Sequence, residues 1–194
     1  SLYKNKGSRK DLMNYRGVFR VTLFRSILDR LMYNDLYTIL DSNLTDGNVG
    51  ARKGRNIRDN IFILGAVINS VTNGGEEPVQ IQVVDVEKCF DKLWLEATTN
   101  ALYEAGIRSD LLNLLYIENE TAKIAVKVNG QLTKRVNVKN VEIQGSVWGS
   151  IKCTTTMDQL NKTILKQDNL TYNYKGDENI KIGVLGMIDD TLSI

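Results

Sequence analysis

Apolar residues recur with two different periods along this chain, and the switches between them lay out its elements. Arg16–Val21 alternates and predicts a strand. Ile27, Leu28, Leu31, Met32, Leu36, Ile39 and Leu40 recur at helical spacing and predict a helix over 26–41. A polar loop over 43–50 and a basic, Gly-containing turn over 51–58 lead to a second helix over 60–71. The turn-rich stretch 73–78 separates these from Val79, Ile81, Val83, Val84 and Val86, a β-branched run that reads as a strand buried on at least one face. Helices over 96–105 and 109–117 follow, the first stopped by Gly106 and the second carrying Asp110 in its first turn. Residues 123–128 and 132–138 alternate around Asn129-Gly130, a strong hairpin signal. Ile151, Met157, Leu160, Ile164 and Leu165 predict a helix over 150–166. After a polar turn region at 172–179, an apolar run over 181–194 is broken by Asp189-Asp190, which predicts a hairpin with two acids at its tip. Runs of helix between antiparallel strands predict an α+β fold.

Two places in this pattern carry chemistry. The strand that begins at Val79 ends in Asp85, with Phe90 and Asp91 just beyond. A strand ending in a solvated Asp is the plain reading of that stretch. The doubled acid Asp189-Asp190 shifts the balance, because adjacent carboxylates repel and one is driven toward protonation unless a cation relieves them. A strand-end Asp and an Asp-Asp hairpin supply the oxygen donors that a two-metal phosphoryl-transfer site needs, and such donors suit Mg2+.

Composition narrows the choice of chemistry. The chain has 194 residues, enough for a real core in one or two subdomains. It contains no histidine, which removes His-based zinc sites, His general bases and Ser-His-Asp catalysis. The net charge is only +2, so any nucleic-acid contact must use localised positive charge. Lys and Arg are indeed dense in the first 58 residues, while acids gather at 85–96 and 177–190. Cys89 and Cys153 lack a metal-binding spacing and predict reduced thiols in an intracellular protein of the cytoplasm or nucleus. No run is long and apolar enough to predict a membrane span.

Taken together, these motifs resemble the reverse transcriptases. Asp85 with Phe90-Asp91 resembles their motif A, Ile143-Gln144-Gly145-Ser146 their motif B, and Met187-Ile188-Asp189-Asp190 their Asp-Asp box. Lys6-Gly7-Ser8-Arg9-Lys10, Asn14-Tyr15-Arg16-Gly17-Val18 and Ala51-Arg52-Lys53-Gly54-Arg55 with Arg58-Asp59 resemble the fingers blocks of the non-LTR (LINE-like) retrotransposon branch. The resemblance covers essentially the whole chain in the family's order. It departs from the family at Trp148-Gly149-Ser150, where Leu-Ser-Pro is usual, and at Met187-Ile188, where an aromatic residue and Ala are common.

The resemblance implies a polymerase fingers–palm fragment: fingers over 1–75, and over 76–194 an antiparallel palm sheet backed by helices, with the thumb absent. It implies RNA-templated DNA synthesis, with an RNA template, a DNA primer and deoxynucleoside triphosphates as partners. Two Mg2+ ions, for which Mn2+ can substitute, would be held by the catalytic residues Asp85, Asp189 and Asp190. Phe90 takes the sugar-gate position, Gln144 and Gly145 line the nucleotide pocket, and Arg16, Arg20, Arg52 and Arg55 face nucleotide phosphates. Two alternatives stand beside this one. An RNA-dependent RNA polymerase usually has a second Asp where Phe90 stands, and a non-catalytic nucleic-acid-binding scaffold would not need the Asp triad.

Overall fold

The computed structural model describes residues 2–16, 18–75, 78–128, 130–138, 146–167, 171–177, 180–188 and 190–194. Strand β1 (Leu2–Tyr3) pairs antiparallel with β2 (Tyr15–Arg16). The alternation expected to carry a strand on to Val21 stops there, because Thr22 accepts the Arg25 amide at 3.3 Å and starts helix α1 (Leu23–Asn43). α1 buries Met32, Leu36, Tyr37 and Leu40 along one stripe. Helix α2 (Ile57–Gly74) starts three residues before the apolar pattern does, because Asn56 and Asp59 form a reciprocal capping box.

Strand β3 (Gln82–Val84) is shorter and more exposed than its composition suggests: Val83 is 72% exposed, and only Val84 is half-buried. Among the described residues β3 has one strand neighbour, so it forms a sheet edge there rather than the buried strand expected. A short helix, α3 (Cys89–Lys92), follows, then α4 (Leu95–Glu104) and α5 (Ser109–Glu120). The predicted hairpin is present as two ladders. β4 (Lys123–Ile124) pairs with β7 (Val136–Asn137), and β5 (Lys127–Val128) with β6 (Gln131–Leu132). The register slips by one residue between the ladders, and the Thr133 hydroxyl satisfies the Val126 amide at the slip, at 2.9 Å. Asn129 of its predicted turn lies outside the described residues.

Helix α6 (Gly149–Leu165) packs on α4. A small ladder of β8 (Tyr172–Asn173) with β9 (Lys181–Ile182) precedes the closing hairpin of β10 (Val184–Met187) and β11 (Asp190–Ser193). The main sheet runs β10-β11-β3, all antiparallel. α2 covers it through Val67, Ile63 and Leu64 against Leu185, Leu192 and Ile194. The larger core lies among the helices, where Leu36 and Leu40 meet Leu102, Ile107, Leu115, Trp148 and Ile151. The fold is therefore α+β, as the sequence predicts.

Candidate active site

The main sheet brings two of the predicted carboxylates to one place. Asp85 immediately follows β3, and Asp190 is the first residue of β11. These strands are neighbours, with Thr191 opposite Val84 and Leu192 opposite Val83. The ladder ends at that Thr191–Val84 pair, and Asp190 and Asp85 are the next residues beyond it on their two chains, at the same end of the sheet. Both residues are exposed, so their oxygens can reach a hydrated cation without a desolvation penalty. Carboxylate oxygens on rigid neighbouring strands fit a hard ion such as Mg2+. Asp189 lies outside the described residues, and among those described no three acidic, Cys or His side chains are gathered tightly enough to hold a metal.

The backbone is strained on both sides of this pair. Lys88 has φ 57° and Ile188 has φ 60°. For a β-branched residue such as Ile188 a left-handed conformation is a true outlier, and such outliers persist only where the surroundings enforce them. Those surroundings are a small apolar cluster. Cys89, Leu93 and Cys153 form its centre, and Val86, Phe90, Met157 and Ile188 pack around it. Phe90 is half-buried there, so its ring joins the α3 segment to the hairpin turn. The Cys89 and Cys153 sulfurs are 3.0 Å apart as neighbouring thiols.

The predicted basic residues have different surroundings. Arg52 lies inside its loop, with its side chain only 6% exposed. Its guanidinium donates to the Asp41 carboxylate at 2.8 Å and to the carbonyls of Thr45, Asn48 and Asp41 at 3.0, 3.0 and 3.2 Å. Burial pushes the Asp41 carboxyl up, but the Arg52 guanidinium outweighs it and holds the group below the usual carboxylate range. This geometry gives Arg52 to the loop. Arg55 is more open, 43% exposed and 3.4 Å from Asp46. Arg20 is exposed. Lys53 lies over the Tyr37 ring at 4.5 Å. The side chain of Arg16, and the whole of Gln144 and Gly145, lie outside the described residues.

Trp148, a departure from the family pattern, is a core residue: it is fully buried and meets Tyr33 edge-on at 5.5 Å. Gly149 then opens α6, its amide donating to the Ser146 hydroxyl at 2.8 Å. The triplet thus enters α6 with its indole in the helical core.

Sequence reasoning misses a polar network behind the hairpin. α6 buries Thr154, Thr155, Asp158 and Asn161, whereas Leu160 and Leu165 of its predicted apolar stripe are 39% and 37% exposed. Asp158 and Asn48 are both fully buried. The only trace in the sequence is the spacing of small polar residues along 151–161, which a hydrophobicity count passes over.

The chain matches, over residues 4–193, the family described as reverse transcriptase (RNA-dependent DNA polymerase). Two structures of apo telomerase from Candida tropicalis resemble it in shape. One, truncated from the C-terminal domain, has a TM-score of 0.47 at 16% identity, with 89% of this chain and 34% of that one covered. The other has a TM-score of 0.49 at 14% identity, with 86% and 30% covered. The chain thus spans about a third of the length of these proteins. By a family match that runs nearly end to end, this chain belongs to the reverse transcriptases.

Proposed function

We propose that this chain is the fingers–palm part of a retrotransposon reverse transcriptase of the non-LTR type, and that it performs templated nucleotidyl transfer. Residues 1–75 would act as fingers and 76–194 as palm. The single observation that supports this most is the β11–β3 register, in which Thr191 pairs with Val84, so that the acids next to that last pair, Asp190 and Asp85, come to the same end of the sheet from segments far apart in sequence. In this reading Asp85, Asp189 and Asp190 hold two Mg2+ ions, which would activate a primer 3′-hydroxyl and steady the departing pyrophosphate. The protein's own part is positioning. The strands fix the carboxylates, Phe90 occludes the space that a ribose 2′-hydroxyl needs, and Gln144-Gly145 let the nucleotide approach the backbone closely. Arg55, Arg20 and Arg16 meet phosphates. Arg52 acts indirectly by holding the loop that carries Arg55.

The test is primer extension on an RNA template annealed to a DNA primer, with deoxynucleoside triphosphates and Mg2+. The 194-residue chain is expected to extend the primer only weakly, and Asp85→Asn to lower that rate by about 100-fold or more, some 3 kcal/mol of transition-state stabilisation. Retained template–primer binding with no Mg2+-dependent extension would favour the scaffold alternative. Equal use of ribonucleotides would favour the RNA polymerase.

A further inference from the structure

We infer that Asp158 is a positioning residue that sets the height of the acidic hairpin by clamping the 45–50 loop against β10; this rests on the metal-site reading above. Asp158 sits on α6 and acts through the loop. Its carboxylate accepts from the Thr45 amide at 3.1 Å, the Thr45 hydroxyl at 2.7 Å and the Asn48 side-chain amide at 3.2 Å. Asn161 and Lys162 add contacts at 3.3 and 3.5 Å from the same helix. A buried carboxylate with this many donors is well satisfied, and removing its charge leaves several donors weakly paired.

The loop so held is in turn keyed to the hairpin. Asn48 forms a parallel bridge with Gly186. The Val49 amide donates to the Gly186 carbonyl at 3.0 Å, and the Gly186 amide to the Gly47 carbonyl at 2.9 Å. From α2, the Asn60 side-chain amide reaches both of those carbonyls at 3.1 Å. Contact is close enough to require glycine. A Cβ at Gly47 would overlap the Val184 carbonyl, and one at Gly50 the Ile188 amide nitrogen. The loop therefore bears on the strained turn residue, two positions from Asp190. Thr191 is held from the α6 side, its hydroxyl 3.4 Å from the Asn161 side-chain oxygen. The path from Asp158 runs through buried and part-buried directional contacts as far as Gly186, Ile188 and Thr191, the last of these next to Asp190, and such contacts transmit displacement because packed interiors yield little.

The test uses the 194-residue chain and two readouts that need no turnover: Mn2+ alone, titrated by calorimetry or electron paramagnetic resonance, and native-state hydrogen exchange. Asp158→Asn is expected to weaken Mn2+ binding about tenfold. It should also speed exchange about tenfold in 45–50 and 184–194 while leaving α4 and α5 unchanged. Thr45→Val, a milder change that retains more of the network, should give about a third of each effect, on a logarithmic scale, and Thr45→Ser should restore wild-type behaviour. Exchange that rises uniformly with falling melting temperature, or a hairpin unchanged in both variants, would overturn the inference. If Asp85→Asn leaves Mn2+ binding untouched, the metal-site reading fails instead, and the exchange profile alone still decides whether Asp158 holds the hairpin.

Discussion

Glu118 gives the chain a pH-dependent stability that can be worked through. It lies on α5 beside Arg25, which bridges it to Asp29, and its side chain is only 9% exposed. Asp29 and Lys152, on α1 and α6, are buried around it. Burial raises the Glu118 carboxyl from 4.5 to about 7; Arg25 and Lys152 oppose the rise and Asp29 adds to it. An acid whose folded value lies above its unfolded value binds its proton more tightly when folded, so the contribution is fully present below 4.5 and is lost as pH climbs to about 7. At about 1.4 kcal/mol per unit the span sets a ceiling of ~3 kcal/mol. Glu118→Gln holds the neutral shape at every pH. It should match wild type near pH 4.5 and exceed it at pH 8 by ~1–3 kcal/mol, or about 2–12 °C in melting temperature for a domain of this size. Urea unfolding of both proteins at half-unit pH steps is the assay. The difference between the two curves matters, because other carboxylates titrate alike in both. Parallel curves across that window would refute the reasoning, and so would a variant less stable at pH 8.

Three further outcomes are expected. Arg52→Lys should destabilise the chain nearly as much as Arg52→Ala, by roughly 2–4 kcal/mol in urea unfolding, because an ammonium cannot make four planar, divergent bonds. Phe90→Ala, in a version competent for extension, should raise ribonucleotide use relative to deoxynucleotide by about tenfold or more, as a steric gate requires; a lowered melting temperature with an unchanged sugar ratio would make Phe90 a packing residue worth roughly 3–5 kcal/mol. Treatment with diamide should join Cys89 to Cys153, closing a loop of 64 residues and adding about 4 kcal/mol to stability, visible as a mobility shift on a non-reducing gel that Cys153→Ser abolishes.

Much of this molecule is readable before its structure. The helices are found because their apolar stripes are long, and the final hairpin because two adjacent acids in an apolar run can stay hydrated only at a turn. The errors have physical causes. β3 reads as buried from its valines, yet an edge position leaves Val83 in solvent, since β-propensity reports shape as much as burial. Arg52 and Arg55 look alike in a basic turn, but only the fold shows that Asp41 and three carbonyls enclose the first. The α6 stripe is misread because its buried face is polar, and burial of Asp158 is tolerable only through donors that come from a distant loop.

The same loop has a consequence for how the chain reaches its native state. Thr45 and Asp158 are 113 residues apart, and Asn60 and Gly186 are 126 apart. Contacts of such separation form late, because closing them costs entropy before anything is returned. During synthesis at about 5–20 residues per second, the Gly47–Gly50 turn must wait on the order of ten seconds for its strand to emerge from the ribosome. Its carbonyls are hydrated through that interval, and the helical core can assemble without it. The acidic hairpin is therefore expected to be the last part of the molecule to close, and a nascent chain halted short of β10 should hold a packed helical core with no acidic hairpin against it.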